Sequence, residues 1–158
     1  MALAAQLVVI YADFGDAAVV RRFIFPSTYV LLLAFVILNR RRIGFLVIGA
    51  GMLLNFLAIV SNGGLMPVTP ANAEKAGMSY KIEGVELGEA IPRSKNVLLE
   101  ESDIHLRWLS DRFTWVSDSP FAVFSVGDIV IAAGLIVVLV EILLPALQRN
   151  SPDRTSPT

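Results

Sequence analysis

The chain alternates long apolar runs with short polar breaks, and three of the runs approach the length of a membrane-spanning helix. They occupy residues 23–38, 43–60 and 126–144. A helix needs about 20 apolar residues to cross a hydrocarbon core about 30 Å thick. Each run therefore predicts a transmembrane helix. Pro26 is expected in the first turn of the first helix, where its missing N–H costs nothing. Leu144 is expected to end the last helix, because a proline follows it.

Residues 1–20 are less regular, since Asp13 and Asp16 interrupt their apolar part. No basic segment precedes the apolar residues, so a cleavable signal peptide fits poorly. We expect a weak additional span or a helix lying in the membrane interface; a helix whose beginning lies upstream is a further alternative. At the other end, residues 148–158 are rich in Ser, Pro and Thr and predict a disordered tail.

A polar segment, residues 61–119, separates the second run from the third. Its repeated Gly and Pro turns predict short helices rather than one long one. Thr69 is expected to cap a helix that starts at Pro70, and residues 96–109 are expected to form another. The pattern thus predicts an all-α membrane protein with three or four transmembrane helices and roughly sixty residues on the outer side. Residues 1–147 would form a single integral membrane domain.

The arginines predict the orientation of the spans. Arginines 40–42 fill the connection between the first two runs, and Arg149 and Arg154 follow the last one. Since basic residues concentrate on the cytoplasmic side, the C-terminus is expected in the cytoplasm and residues 61–119 outside. The arginine pair at 21–22 opposes this orientation, but the other arginines outnumber it.

Composition supports the membrane class and excludes others. The chain has 158 residues, 55% hydrophobic and 17% charged, which is more apolar than a soluble core of this size can hide. The net charge of −1 and the lack of basic clusters argue against nucleic-acid binding. No cysteine is present, and Glu101 and His105 are expected to pair on a helix surface. We therefore predict no metal site and no cofactor.

Two acids are the candidate catalytic residues. Asp128 lies at the outer end of the last span, where an ionised group is costly and often functional. Asp111, or Asp118 in its place, lies on the approach to it. Two close carboxylates do not readily ionise together, so such a pair can perform acid–base catalysis on water. Arg112 is expected either to orient one carboxylate or to bind an anionic head group.

These polar residues also have a structural interpretation. Ser125 and Asp128 match the capping box at the start of a helix, where an acid also suits the helix dipole. Asn55 is expected to bond a neighbouring helix, and Asn62 to end a helix together with the two glycines that follow it. Alternatively, the two amides orient the carboxylates or bind a substrate.

Two motifs resemble a known family. They are Asn-Gly-Gly-Leu-Met-Pro-Val at residues 62–68 and Phe-Ser-Val-Gly-Asp-Ile at residues 124–129. Together they resemble an uncharacterised bacterial family of small integral membrane proteins, a domain of unknown function, over about residues 23–145. The resemblance implies a multi-pass protein of the bacterial inner membrane.

Residues 111–129 are also distantly similar to the last third of lipoprotein signal peptidase, an aspartic membrane peptidase. The similarity implies a catalytic acid at Asp128, although Ser125 stands where that family has asparagine and the first acid maps less cleanly. We expect a small accessory or structural membrane protein that contacts the bilayer and a membrane protein partner. The alternative is an aspartic-type peptidase that cleaves a membrane-anchored, lipoprotein-like substrate at the outer face. A transporter formed by oligomerisation is a third possibility.

Overall fold

A computed structural model describes the backbone of residues 17–114 and 123–149. The helices in these ranges are α1 (Ala17–Leu38), α2 (Ile43–Ser61), α3 (Pro70–Lys75), α4 (Ser79–Ile82) and α5 (Val126–Arg149), with a 3-10 turn at Arg107–Leu109. The strands are β1 (Met66–Val68), β2 (Asn96–Leu98), β3 (Phe113–Thr114) and β4 (Val123–Phe124). The position of Asp118 lies outside the described residues. So do most of the weak first span and most of the disordered tail; only residues 17–20 of the span and 148–149 of the tail are described, and both are helical.

Among the described residues, two helices are long and apolar enough to cross a membrane. They are α2, with a mean hydropathy of 2.4, and the Val126–Leu144 part of α5, with 2.6. The apolar part of α1, Arg22–Leu38, is shorter. The mostly helical class and two of the predicted spans therefore agree with the structure. The run at residues 23–38 is helical within the 22 residues of α1, and a third span stays a prediction.

Two predicted helix ends are wrong, both at prolines. Pro26 lies inside α1 rather than in its first turn, because α1 already begins at Ala17. The backbone of α5 continues through Pro145 to Arg149 instead of stopping at Leu144. A proline inside a helix removes one backbone hydrogen bond, and apolar helices tolerate this when nearby groups satisfy the freed carbonyl.

Helices α2 and α5 pack antiparallel along a seam of glycines. Gly44 of α2 faces Gly134 of α5, and Gly51 faces Gly127, so each helix contributes two glycines spaced by seven residues. A Cβ on Gly51 would lie 2.6 Å from the carbonyl oxygen of Gly127, and one on Gly134 would lie 2.7 Å from the backbone nitrogen of Ile48. The backbones therefore approach as closely as only glycine allows.

Helix α1 packs on α2 through a buried apolar cluster. Its members from the two helices are Phe25, Tyr29, Val36, Ile48, Met52, Ala58 and Ile59. Glu141 of α5 caps the start of α2, since its carboxylate accepts from the backbone N–H groups of Ile43 at 2.9 Å and Gly44 at 3.4 Å. A carboxylate at the start of α2 satisfies two free N–H groups and suits the helix dipole.

Residues 62–114, the cap segment, fold against the other end of α2. Strand β1 pairs with β2 in parallel, with Met66 opposite Asn96, and Thr69 caps α3 as predicted, accepting from Asn72 at 3.2 Å. The helix expected over residues 96–109 is wrong. These residues form β2, turns and the 3-10 turn, because Val97 and Leu98 are buried by pairing with distant β1 rather than by a local helix face.

Candidate functional site

The first turn of α5 positions Asp128. Ser125 precedes the helix; its backbone N–H donates to Asp128 Oδ2 at 3.0 Å, and the Asp128 N–H donates to Ser125 Oγ at 3.1 Å. These reciprocal bonds are the capping box that the sequence predicted. They satisfy the start of the helix and fix one oxygen of the carboxylate.

Asn55 connects α2 to this turn, as predicted for an amide that bonds a neighbouring helix. Its Nδ2 donates to Asp128 Oδ1 at 2.7 Å, and its Oδ1 accepts from Ser125 Oγ at 2.7 Å. Asn55 is fully buried. A Cβ on Gly127 would collide with its amide, so the glycine seam is what allows Asn55 to reach the acid.

Asp111 reaches the same place from the cap segment. Its side chain is 0% exposed, and its Oδ2 accepts from Asn96 Nδ2 at 2.8 Å. Its backbone N–H donates to the carbonyl of Pro67 at 3.2 Å. Residues next to or within both strands of the β1–β2 pair therefore hold this acid in position.

Lys95 lies between the two acids. Its Nζ is 3.2 Å from Asp111 Oδ2 and 3.5 Å from Asp128 Oδ2. About a third of the Asp128 side chain (33%) and 27% of the Lys95 side chain remain exposed, in contrast to Asp111. The structure thus brings the two predicted acids together, with a cation between them. We call Lys95, Asp111 and Asp128 the ionic cluster. An ammonium at this distance favours the ionised form of both carboxylates.

This arrangement changes the pKa values of Lys95 and Asp111, the two residues of the ionic cluster that belong to the cap segment. Burial lowers the pKa of Lys95, but the carboxylates of Asp111 and Asp128 outweigh it and raise the pKa above its ordinary value of 10.5. Burial raises the pKa of Asp111 above 3.8, against the lowering effects of Lys95 and Asn96. The ammonium therefore stays charged at neutral pH, and Asp111 depends on it for compensation.

Asn62 lies outside the ionic cluster and joins α2 to the cap segment. Its Nδ2 donates to the carbonyls of Ala58 at 2.7 Å and His105 at 2.8 Å, and its Oδ1 accepts from the His105 N–H at 2.9 Å. Gly63 and Gly64 follow with φ of 76° and 92°, which confirms the predicted helix stop.

Arg112 also lies outside the cluster. Its guanidinium is 5.7 Å from the centre of the Phe113 ring, and it forms no salt bridge with a carboxylate of the described residues. The expected pair of Glu101 and His105 is wrong, because no helix forms there and Glu101 instead bonds Arg107 at 2.8 Å. Within residues 17–114 and 123–149, no cluster of three or more His, Asp or Glu side chains is suited to a metal.

Sequence reasoning missed two residues of this site, Lys95 and Asn96. Neither belongs to a motif, and each reaches Asp111 only because β2 pairs with β1 across 30 residues of chain. The glycine seam, by contrast, did leave a signal, namely the spacing of seven between its members on each helix. A repeat of small residues at that spacing is typical of closely packed apolar helices.

The described residues define a mostly helical protein with two helices long and apolar enough to cross a membrane and a paired ionic cluster at one end of them. The chain belongs to the family of unknown function DUF5317, whose model matches residues 1–140. No curated protein and no solved structure gives a significant match to the chain.

Proposed function

We propose that the protein is a multi-pass integral membrane protein of accessory or structural type, in which the ionic cluster fastens the cap segment to the helices. Support for the membrane comes from α2, whose 19 residues would extend about 28 Å, and from the surface of α5. Only 11% of the apolar part of α5 is buried within the protein. Such a continuous apolar surface needs a bilayer or a partner to cover it.

The orientation is part of the same proposal, with the cap segment outside, the C-terminus in the cytoplasm and a bacterial inner membrane as the location. Arginines 40–42 lie at the end of α2 that Glu141 caps, opposite the cap segment. Arg22, which opposes the positive-inside rule, donates from Nη2 to the carbonyl of Gly88 at 2.9 Å. A bond to the cap segment gives that arginine a reason to lie on the outer side.

The observation that carries the structural role is that Lys95 joins an acid of the cap segment to an acid of α5. In the described part of the chain, no buried side-chain nitrogen or oxygen lacks a hydrogen-bond partner. The polar groups of the cluster are thus engaged with one another, as in a joint between two parts of a protein. The surface left for a membrane protein partner is the apolar face of α5 and the exposed side of the cap segment.

The second candidate is an aspartic-type membrane peptidase similar to lipoprotein signal peptidase. The observation in its favour is that Asp111 and Asp128 both lie within 3.5 Å of the same nitrogen atom, so the two acids belong to one site. Against it, an aspartic dyad activates water between two free carboxylates, whereas here Lys95 lies between them and Asp111 is buried.

The Asp128→Asn variant separates the two candidates. If the cluster is a joint, the wild-type protein leaves a membrane-anchored lipopeptide uncleaved, and the variant loses stability because asparagine keeps the cap but loses the ion pair. If the protein is a peptidase, the wild type cleaves the substrate and the variant is inactive yet folded and inserted. Carbonate extraction of membranes reports insertion in both cases, and release of the wild-type protein by carbonate would exclude the membrane proposal itself.

A further inference from the structure

The cap segment contains a pocket that none of the three residues of the ionic cluster lines. Its volume is about 270 Å³, slightly below the range of pockets that enclose drug-sized ligands. Three cations line it, Lys75 of α3, Arg107 of the 3-10 turn and Arg112 just before β3, and a single acid, Glu101, faces them. The size and charge of the pocket suit a small anion or an anionic head group.

Two of these cations are not neutralised by any carboxylate of the described residues. Glu101 lies 2.8 Å from Arg107 and compensates that residue. Lys75 and Arg112 have no carboxylate within salt-bridge distance in the described part of the chain. Arg112 lies beside the ring of Phe113, which orients its guanidinium without consuming its donors. Arginine presents a planar set of donors that matches phosphate, and lysine adds a point charge.

The pocket lies next to the ends of the apolar helices. The 3-10 turn supplies Arg107 to the pocket and, two residues later, Leu109 to the apolar cluster between α1 and α2. Trp108, between them, is 71% exposed. An exposed tryptophan at the end of apolar helices is typical of the membrane–water interface. The pocket is therefore placed at the depth of lipid head groups if the helices are inserted.

We propose that this pocket binds the phosphate of an anionic phospholipid head group, held by Lys75, Arg107 and Arg112. The lipid source rests on the proposed membrane location, whereas the phosphate chemistry rests on the three cations alone. A soluble phosphate ester offers the same chemistry, so the test has to separate the two sources. Bound lipid at this point would contact both the cap segment and the exposed Trp108.

The test uses the full chain purified in detergent. We would titrate it with short-chain phosphatidylglycerol, with phosphatidylcholine of the same chains, and with inorganic phosphate, following tryptophan fluorescence and bound lipid by native mass spectrometry. The variants are Lys75→Gln and Arg112→Gln, and the control is Lys81→Gln, which removes a cation of α4 that does not line the pocket. Circular dichroism checks that each variant is folded.

We expect phosphatidylglycerol to bind more tightly than phosphatidylcholine, and each pocket variant to weaken it about fivefold, as for the loss of one cation near an anionic surface. Lys81→Gln should bind like the wild type. If inorganic phosphate binds and phosphatidylglycerol has no advantage over phosphatidylcholine, the phosphate site is upheld and the lipid source is wrong. If neither binds, or if Lys81→Gln has the same effect as the pocket variants, the proposal is overturned. Carbonate extraction, done separately, tells whether the membrane location has failed instead.

Discussion

At the scale of residues, the Lys95 ammonium is stable in a poorly hydrated place because each acid beside it has further donors. Asn55 and Ser125 donate to Asp128, and Asn96 donates to Asp111. Burying charges costs several kcal/mol per ion unless the geometry and the remaining hydrogen bonds compensate. Removing the cation would therefore cost more than removing a typical surface charge.

We expect Lys95→Met to destabilise the protein by about 3 kcal/mol, the lower end for breaking a buried ion pair, since 27% of the lysine side chain is exposed. The variant leaves Asp111 buried without its cation. Thermal unfolding in detergent measures the change, and protease sensitivity of the cap segment should rise. Lys81→Met, whose ammonium lies 5.8 Å from the centre of the Tyr80 ring, should change stability by less than about 0.5 kcal/mol. Equal effects of the two substitutions would contradict the role of Lys95.

The difference in stability between the wild type and Lys95→Met should depend on pH. The pKa of Lys95 is raised in the fold above 10.5, so its contribution is fully present below that pH and is lost as pH rises through the folded value. The stability difference between wild type and Lys95→Met should thus persist from pH 7 to about 10 and shrink above that. A difference that already disappears between pH 7 and 9 would show that the charge of Lys95 is not its source.

For individual residues, contacts between neighbours in sequence could be predicted, and contacts between distant residues could not. The capping box of Ser125 and Asp128 depends on two positions three residues apart, which a pattern can show. Lys95 meets Asp111 across 16 residues and Asp128 across 33. Such a contact depends on how the cap segment folds, and no spacing along the chain encodes it.

At the scale of elements, the close contact of α2 and α5 depends on the four glycines of the seam. The atoms that a Cβ on Gly51 would meet include the carbonyl oxygen of Gly127 and, at 2.8 Å, the backbone nitrogen of Ile131. Backbone atoms cannot rotate away as the end of a side chain can. A larger residue must push the helices apart, which also separates Asn55 of α2 from Asp128 of α5.

We expect Gly51→Leu to cost about 3 kcal/mol, at the upper end for overpacking, because the helices must separate. Ala50→Leu is the matched control, since the same side chain is added one position earlier on the exposed face of α2. Thermal unfolding in detergent compares them, with α-helix content followed by circular dichroism. If Gly51→Leu is tolerated as well as Ala50→Leu, the helices are not in the close contact described.

The long helices could be predicted from the sequence, and the short strands could not. The apolar runs that became α2 and α5 are long enough for hydropathy to define them. Strands β1 and β2 have three residues each, too few for a period to show. The apolar residues at positions 98, 99, 108 and 109 favoured one helix instead. The cap segment was thus predicted as a polar segment with short helices, of which the one capped by Thr69 is present, but its sheet was not predicted.

At the scale of the whole molecule, the fold has two chemically different ends. Lys95, Asp111 and the cap segment lie at one, and arginines 40–42 with the Glu141 cap of α2 lie at the other. The 19 residues of α2 join them. If the helices cross a bilayer, these ends face opposite compartments, with the arginines inside.

Because the chain has no cysteine, single cysteines can report this arrangement directly. Glu86→Cys places a thiol on the exposed surface of the cap segment, and Arg41→Cys places one in the connection after α1 while leaving two arginines there. In sealed right-side-out vesicles, we expect a membrane-impermeant maleimide to label Glu86→Cys at once and Arg41→Cys only after permeabilisation. The reverse pattern would keep the spanning helices and invert the orientation. Labelling of both without permeabilisation would mean that the apolar faces of α2 and α5 are covered by a protein partner and not by lipid.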